Sequence, residues 1–353
     1  YNGLCFLGLA SGAWKNAVLG GCFLDRESRR SVDLYARAAS VVTTGGTYLV
    51  ENYNLRKRID QFAIDGALGK DTVFFTQSLG PFADGYNRAR LRRVFDRSPL
   101  ILLRDERSLS HISDLVADRD KCHVVADAVF ALADTRRIGA ILEARRPPAA
   151  TGRVAISVRD WSYVRGGEDG MSRYIDAVRR MTVALVGQGR EVTFVSTCQG
   201  VPEYAHDDSR TAEAIVAGLE PSVVRHVTVD ARFHSPEELM ELAKGFDFVV
   251  ATRMHMMILS LCVGTPVLPI AYEFKTKELA ARLGIADVLL DIDTISGDEA
   301  VAVLAEFSQN LDALRRTSLQ SVLEENASAL SSTALLAHAV QRRRRRKGPE
   351  PPC

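Results

Sequence analysis

The sequence predicts an α/β protein built of two Rossmann-like halves. Three observations lead there. Its 353 residues amount to roughly two domains at about 150 residues each. Short β-rich apolar runs alternate with longer amphipathic segments, which is the pattern of βαβ units around parallel sheets. The stretch Ala144-Arg145-Arg146-Pro147-Pro148-Ala149-Ala150-Thr151-Gly152 cannot extend a helix, and the alternation restarts after it.

In the first half, Val41-Val42-Thr43-Thr44 runs into Gly45-Gly46, and Thr72 to Gln77 runs into Ser78-Leu79-Gly80-Pro81. Pro99 to Leu103 runs into Arg104-Asp105-Glu106. Each run is a strand that closes on polar residues or on Gly and Pro. In the second half, Val154 to Val158 is a strand ending at Arg159-Asp160, followed by a helix over Ser172 to Gly187. Strands over Glu191 to Ser196, Val227 to Val229 and Phe248 to Thr252 follow, with helices at Ala212 to Leu219 and from Ser235 to about Gly245. Ser235-Pro236-Glu237-Glu238 is a helix start, with a capping Ser, Pro at the first position and acids in the first turn. The expected division is residues 1–145 for the first domain, 146–153 for a linker and 154–318 for the second domain. A helical segment over 319–340 and a basic, disordered tail over 341–353 complete it.

Composition narrows the function. Lys and Arg number 45 against 44 Asp and Glu, for a net charge of +1. That balance argues against a surface devoted to nucleic acid. The block Arg342 to Lys347 has two readings, a solvated tail and a contact with an anionic membrane. The six cysteines form no CxxC pair, so reduced thiols in a cytoplasmic protein are expected. The apolar stretch Met256 to Tyr272 is broken by Gly264, Pro266 and Pro269 and is no membrane span. Absence of GxGxxG and of a P-loop counts against a dinucleotide dehydrogenase or a P-loop kinase. With no HExxH and scattered histidines, no metal site is predicted.

Ligands of doubly wound sheets bind beyond the carboxyl ends of strands. The residues there are Gly45-Gly46, Gln77, Arg104, Asp127, Arg159, Thr197 and Arg253-Met254-His255. Arginines and a histidine at strand ends point to an anionic ligand, which a guanidinium holds through its planar fork. Histidine as a residue type titrates near neutral pH, which suits His255 to proton donation. A buried structural histidine beside an Arg253 salt bridge is the competing reading, and the pattern leaves both open. Gly45-Gly46 suits either a ligand approaching the backbone or a tight turn. Trp161 suits a sugar face or a packing role equally. The cluster Arg88, Arg90, Arg92, Arg93 and Arg97 reads as an exposed helix face.

These residues occur in blocks that resemble the polysaccharide pyruvyl transferase family. The blocks are Thr44-Gly45-Gly46, Thr76-Gln77-Ser78-Leu79-Gly80-Pro81, Arg104-Asp105-Glu106-Arg107-Ser108 and Ala126-Asp127-Ala128-Val129-Phe130. Ala251-Thr252-Arg253-Met254-His255, Gly264-Thr265-Pro266-Val267 and Ala271-Tyr272-Glu273-Phe274-Lys275 continue the family's order. The resemblance implies a GT-B-like fold, two Rossmann-like domains facing a cleft, with the first half truncated. The family usually opens on a strand and a Gly-Asn-x-Gly-Asp loop. No equivalent precedes Gly45, so part of the acceptor-side domain is expected to be absent and the chain inactive as given.

The resemblance further implies phosphoenolpyruvate as donor and co-substrate, with no other cofactor, and a polysaccharide or glycolipid sugar as acceptor. His255 is the implied catalytic residue. Arg253, Met254, Arg159, Gly45, Gly46, Gln77, Arg104 and Lys275 are the implied substrate-binding set. A cytoplasmic enzyme at the inner face of the membrane follows. A GT-B glycosyltransferase using a nucleotide-sugar and a non-catalytic glycan-binding relative stand as alternatives.

Overall fold

A computed structural model describes residues 25–51, 53–160, 167–199 and 207–347. The opening segment, Trp161 and the final residues of the tail lie outside the described residues, and with them the expectations placed on them. The chain forms two compact units. One comprises residues 1–128 and 328–353, the other 129–327.

The first unit is built on parallel strands β1 (Val41–Val42), β2 (Gly46–Leu49), β3 (Thr72–Leu79), β4 (Ile101–Leu103) and β5 (Cys122–Val124). β1 and β2 pair successively along one edge of β3, and β4 and β5 extend the sheet from its other edge. Helix α1 (Arg26–Arg37) precedes β1, and α2 (Arg56–Ala67), α3 (Gly85–Arg97) and α4 (Glu106–Ile112) lie between successive strands from β2 to β5. The strands are apolar on both faces, as parallel strands are when each face is covered. Phe74, Ile101 and Leu103 face one core with Phe62, Leu91 and Phe95. Phe74 meets Phe62 and Phe95 edge-on, with centroids 5.4 and 5.1 Å apart. The alternating residues Val73, Leu100 and Leu102 face the other way with Val125, against Leu335, Leu336 and Ala339.

The α3 arginines occupy a helix face tied to neighbours. Arg90 pairs with Asp60 at 2.8 Å, Arg97 with Asp71 at 3.0 Å, and Arg88 with Asp114.

The second unit contains β6 (Arg153–Ser157), β7 (Glu191–Val195), β8 (Val227–Asp230), β9 (Phe248–Ala251), β10 (Val267–Ala271) and β11 (Leu290–Asp291). All pair in parallel, in the order β8-β7-β6-β9-β10-β11. Counted from β6 this is the 3-2-1-4-5-6 order of doubly wound dinucleotide folds. Its helices are α5 (Thr135–Glu143), α6 (Gly167–Gly187), α7 (Asp208–Val216), α8 (Pro221–Val224), α9 (Pro236–Ala243), α10 (Met254–Leu261), α11 (Phe274–Arg282) and α12 (Gly297–Gln309). A last helix, α13 (Leu311–Lys347), runs from this unit into the first.

Two boundaries differ from the sequence reading. The units divide after Ala128, although the Pro-Pro stretch does end a helix, α5, whose C-cap is Ala144. α5 belongs to the second unit because it is bonded there. The Asp134 amide donates to the Cys262 carbonyl at 2.8 Å, and Arg137 Nε donates to the Val263 carbonyl at 2.8 Å. α13 begins at Leu311 and is continuous to Lys347, since no Gly or Pro interrupts the sequence until Gly348. The segment 341–347, expected to be disordered tail, is therefore its last helical stretch.

Candidate functional site

The switch point of the second sheet lies between β6 and β9, whose final residues Ser157 and Ala251 are register partners. The Thr252 amide donates to the Ser157 carbonyl at 2.9 Å. Arg159 and Arg253 each stand two residues beyond that pair, so the register brings both to the same level at the ligand-binding edge. Tyr174 of α6, fully buried, locks both strand ends. Its hydroxyl lies 2.9 Å from Thr252 Oγ1 and accepts the Arg159 amide at 3.2 Å. Burial pushes its phenol well above the ordinary value.

Arg253 makes a two-pronged ion pair with Asp208, the first residue of α7. Nε donates to Oδ2 and Nη2 to Oδ1, both at 2.7 Å. The Asp208 side chain is only 1% exposed, so the charge is tolerated because it is paired. Burial pushes its carboxyl above the usual range, against the opposing pull of Arg253 and Arg159. Burial also works against the Arg253 charge, but the bonds and charge of Asp208 prevail and raise its pKa. The two short parallel bonds are those of an ionised fork.

The Arg159 guanidinium carbon lies 3.9 Å from the centroid of the Tyr272 ring, just past β10. Burial raises the Tyr272 phenol, with Arg159 opposing. Lys275 pairs with Glu273 at 2.6 Å and sits 6.0 Å from the same ring.

α10 starts at Met254 with Arg253 as its N-cap, and α11 at Phe274 with Glu273 as its N-cap. Neither start has a side-chain capping bond. Two helix N-termini thus end beside these cations, each offering backbone N–H groups and positive potential to an anion. His255 is exposed on the first turn of α10. It is not a buried core histidine, whereas the Arg253 salt bridge of that competing reading is present. Met254, implied as substrate-binding, packs its side chain into the core.

The first unit holds the remaining predicted residues in a network of their own. Gln77 is fully buried, and its amide nitrogen donates to Thr43 Oγ1 at 3.2 Å and to the Thr44 carbonyl. Arg104 Nε donates to Ser78 Oγ at 2.8 Å, and the same guanidinium bonds Asp127 and Thr47. Ser78 donates in turn to Asp105 at 2.7 Å. Gln77 and Arg104 thereby grip the residues on either side of Gly45-Gly46. A Cβ on Gly45 would stand 2.7 Å from Thr76 Oγ1. Thr76 itself has φ of 44°, a strained conformation for a β-branched residue of the kind that clusters at functional sites.

The structure therefore brings Arg159, Arg253, Met254, His255 and Lys275 to one edge of the second sheet, and Gly45, Gly46, Gln77 and Arg104 to one edge of the first. Sequence reasoning missed Asp208 and Tyr174. Asp208 follows another acid, Asp207, at a helix start and reads as a capping residue, a role that Asp207 fills. Among the described residues no group of three or more His, Cys, Asp or Glu is placed to hold a metal ion. No described helix is long and apolar enough to cross a membrane.

Chemically, the second unit's edge suits a ligand with more than one negative charge, with an exposed imidazole beside it. Comparisons with known proteins agree with the fold and identify the lineage. HepE from Anabaena, solved in complex with UDP, superposes with a TM-score of 0.54 at 10% identity, over 88% of this chain and 81% of that one. The α,α-trehalose 6-phosphate synthase of Burkholderia multivorans gives 0.52 at 14% identity, over 96% and 83%. Both likenesses support a GT-B-like fold. In sequence, the chain is 24% identical over 292 residues to the amylovoran biosynthesis protein AmsJ of Erwinia amylovora, spanning 81% of this chain and 69% of that protein. The polysaccharide pyruvyl transferase family model matches residues 13–273, most of the chain, and the protein is a transferase belonging to that family.

Proposed function

We propose that this chain moves the pyruvyl group of phosphoenolpyruvate onto two hydroxyls of one sugar, in an exopolysaccharide or its glycolipid precursor, as a ketal. The observation that carries the reading is the switch-point edge, where Arg159 and Arg253 stand at one level beside the open N-termini of α10 and α11. Phosphoenolpyruvate carries a carboxylate and a phosphate, about three negative charges once the phosphate is fully ionised. Two guanidinium groups and two helix starts suit such an anion. The amylovoran biosynthesis role of the AmsJ relative favours an exopolysaccharide acceptor.

In this scheme Arg253 and Arg159 hold the carboxylate and phosphate. His255, as imidazolium, gives a proton to the methylene carbon, which becomes the methyl group. Carbon 2 is left electron-poor, and one sugar hydroxyl adds to it, losing its proton to the imidazole. The second hydroxyl adds with loss of the carbon–oxygen bond to phosphate, which leaves as inorganic phosphate with the second hydroxyl's proton. The products are one ketal and one phosphate. Positive charge builds on carbon 2 only at the transition state, so groups placed for that state raise the rate beyond affinity.

The test is incubation with phosphoenolpyruvate and envelope glycan fractions, with nucleotide-sugars in a parallel arm. The expected product gains the mass of one pyruvyl ketal with equimolar phosphate release. His255→Ala is expected to keep the fold and lose about 10²–10⁴-fold in turnover. Glycosyl transfer from a nucleotide-sugar, or wild-type turnover in His255→Ala, would overturn the scheme.

A further inference from the structure

We infer that Asp208 is the positioning residue of this site: it fixes which edge of the Arg253 guanidinium faces the anion, and it ties the Arg159 loop to the Arg253 loop. The inference rests on the reading of the site as a phosphoenolpyruvate site and names the residue that organises it.

Arginine has five N–H donors in a rigid plane. Asp208 takes the Nε and one Nη2 donor at 2.7 Å each. The bonds made by this carboxylate leave the Nη1 edge for the ligand. A guanidinium held along one side cannot rotate about its last torsions, so the presented edge is set before the ligand arrives. Such preorganisation improves binding by removing an ordering cost.

The backbone N–H of Asp160, the residue after Arg159, and the Arg159 charge both favour the ionised form of the same carboxylate. The Asp208 amide in turn donates to the Cys198 carbonyl at 2.9 Å, just past β7. One side chain and its amide therefore link the loops that follow β6, β7 and β9. The stability argument for such a pair is weak, because a buried ion pair is often no better than apolar packing of the same volume. Its position at the switch point makes orientation its stronger role. It also cancels one positive charge of the edge, so the ligand meets Arg253 as a directed donor more than as an added charge.

The experiment uses the full chain with Asp208→Asn, which keeps the shape and removes the charge. Affinity for phosphoenolpyruvate is measured by calorimetry, and exchange of the Arg253 Nε–H by NMR without ligand. The expected result is a loss of at least about tenfold in affinity, the scale of a charge-assisted bond, with loss of exchange protection. In turnover, KM for phosphoenolpyruvate rises while KM for the acceptor stays. In an Arg253→Ala background the Asp208 substitution adds no further loss of affinity, because the two act as one unit. Wild-type affinity in Asp208→Asn, or losses that add in the double variant, overturns the inference. If the wild type binds no phosphoenolpyruvate, the functional reading falls, and the exchange measurement still decides: retained protection in Asp208→Asn overturns the positioning role. Should Asp208→Asn not fold, Asp208→Glu carries the same comparisons, since one extra methylene keeps the charge but displaces the fork.

Discussion

At the scale of single residues, several charged side chains are buried where strands end. Asp230, at the end of β8, shows a second fork. Arg232 donates to its two oxygens at 3.0 and 2.8 Å, and His234 Nε2 donates to it at 3.0 Å. The Arg232 bonds hold the Asp230 carboxyl well below the usual carboxylate range, more than burial raises it. A depressed folded pKa contributes stability that is present above the unfolded value, near pH 4, and lost as pH falls toward the folded one. Urea melts of Asp230→Asn should therefore show lower stability at pH 7 and a shallower loss between about pH 4 and 2 than the wild type. The effect is expected to be modest, because the Arg232 side chain is 77% exposed and solvent screens it. Arg253 and His255 were legible in the sequence because a charged pair between two apolar segments stands out. Asp208 was not, because its partner lies 45 residues away and its neighbours are polar.

Elements were the most legible level. Each strand named from the sequence exists, since continuous apolar runs bounded by Gly, Pro or charge have few other solutions in a parallel sheet. β2, β5, β10 and β11 were not named. β10 was taken with the apolar stretch Met256 to Tyr272, and the other three are only two to four residues long. The start of α9 matches in detail, with reciprocal bonds of 3.2 Å from the Glu238 amide to Ser235 Oγ and 2.7 Å from the Ser235 amide to Glu238. Ser235→Ala should cost about 1 kcal/mol in a thermal or urea melt. An unchanged midpoint would show that Pro236 and Glu238 suffice to start the helix. α10 is the opposite case. Its N-cap is an arginine without a capping bond, so local helix stability is forgone at the end that faces the site.

At the scale of the whole molecule, the composition of the units was the least legible feature. Nothing local announces that residues 328–353 belong with residues 1–128. The contacts that decide it are long-range: Leu335, Leu336 and Ala339 against Val73, Leu100, Leu102 and Val125. The Ala126 amide also donates to Ser328 Oγ at 3.0 Å across 202 residues. Removing α13 after Ala327 should expose that sheet face and lower the melting of the first unit by several degrees or more, with binding of a hydrophobic dye. Buried apolar area of this kind is worth about 25 cal/mol per Å². The second unit should keep its own transition in calorimetry. A single unchanged transition would mean that α13 adds nothing to the first unit.

The return of α13 also sets a schedule. Domains usually fold as units during synthesis, the N-terminal one first. Here the first unit's sheet leaves the ribosome with one apolar face uncovered, and its cover is made only after the whole second unit. The nascent first unit must wait through translation of the entire second unit. In that interval its open face is the kind of exposed apolar surface that invites aggregation, and the second unit, though later in the gene, has all its own parts first.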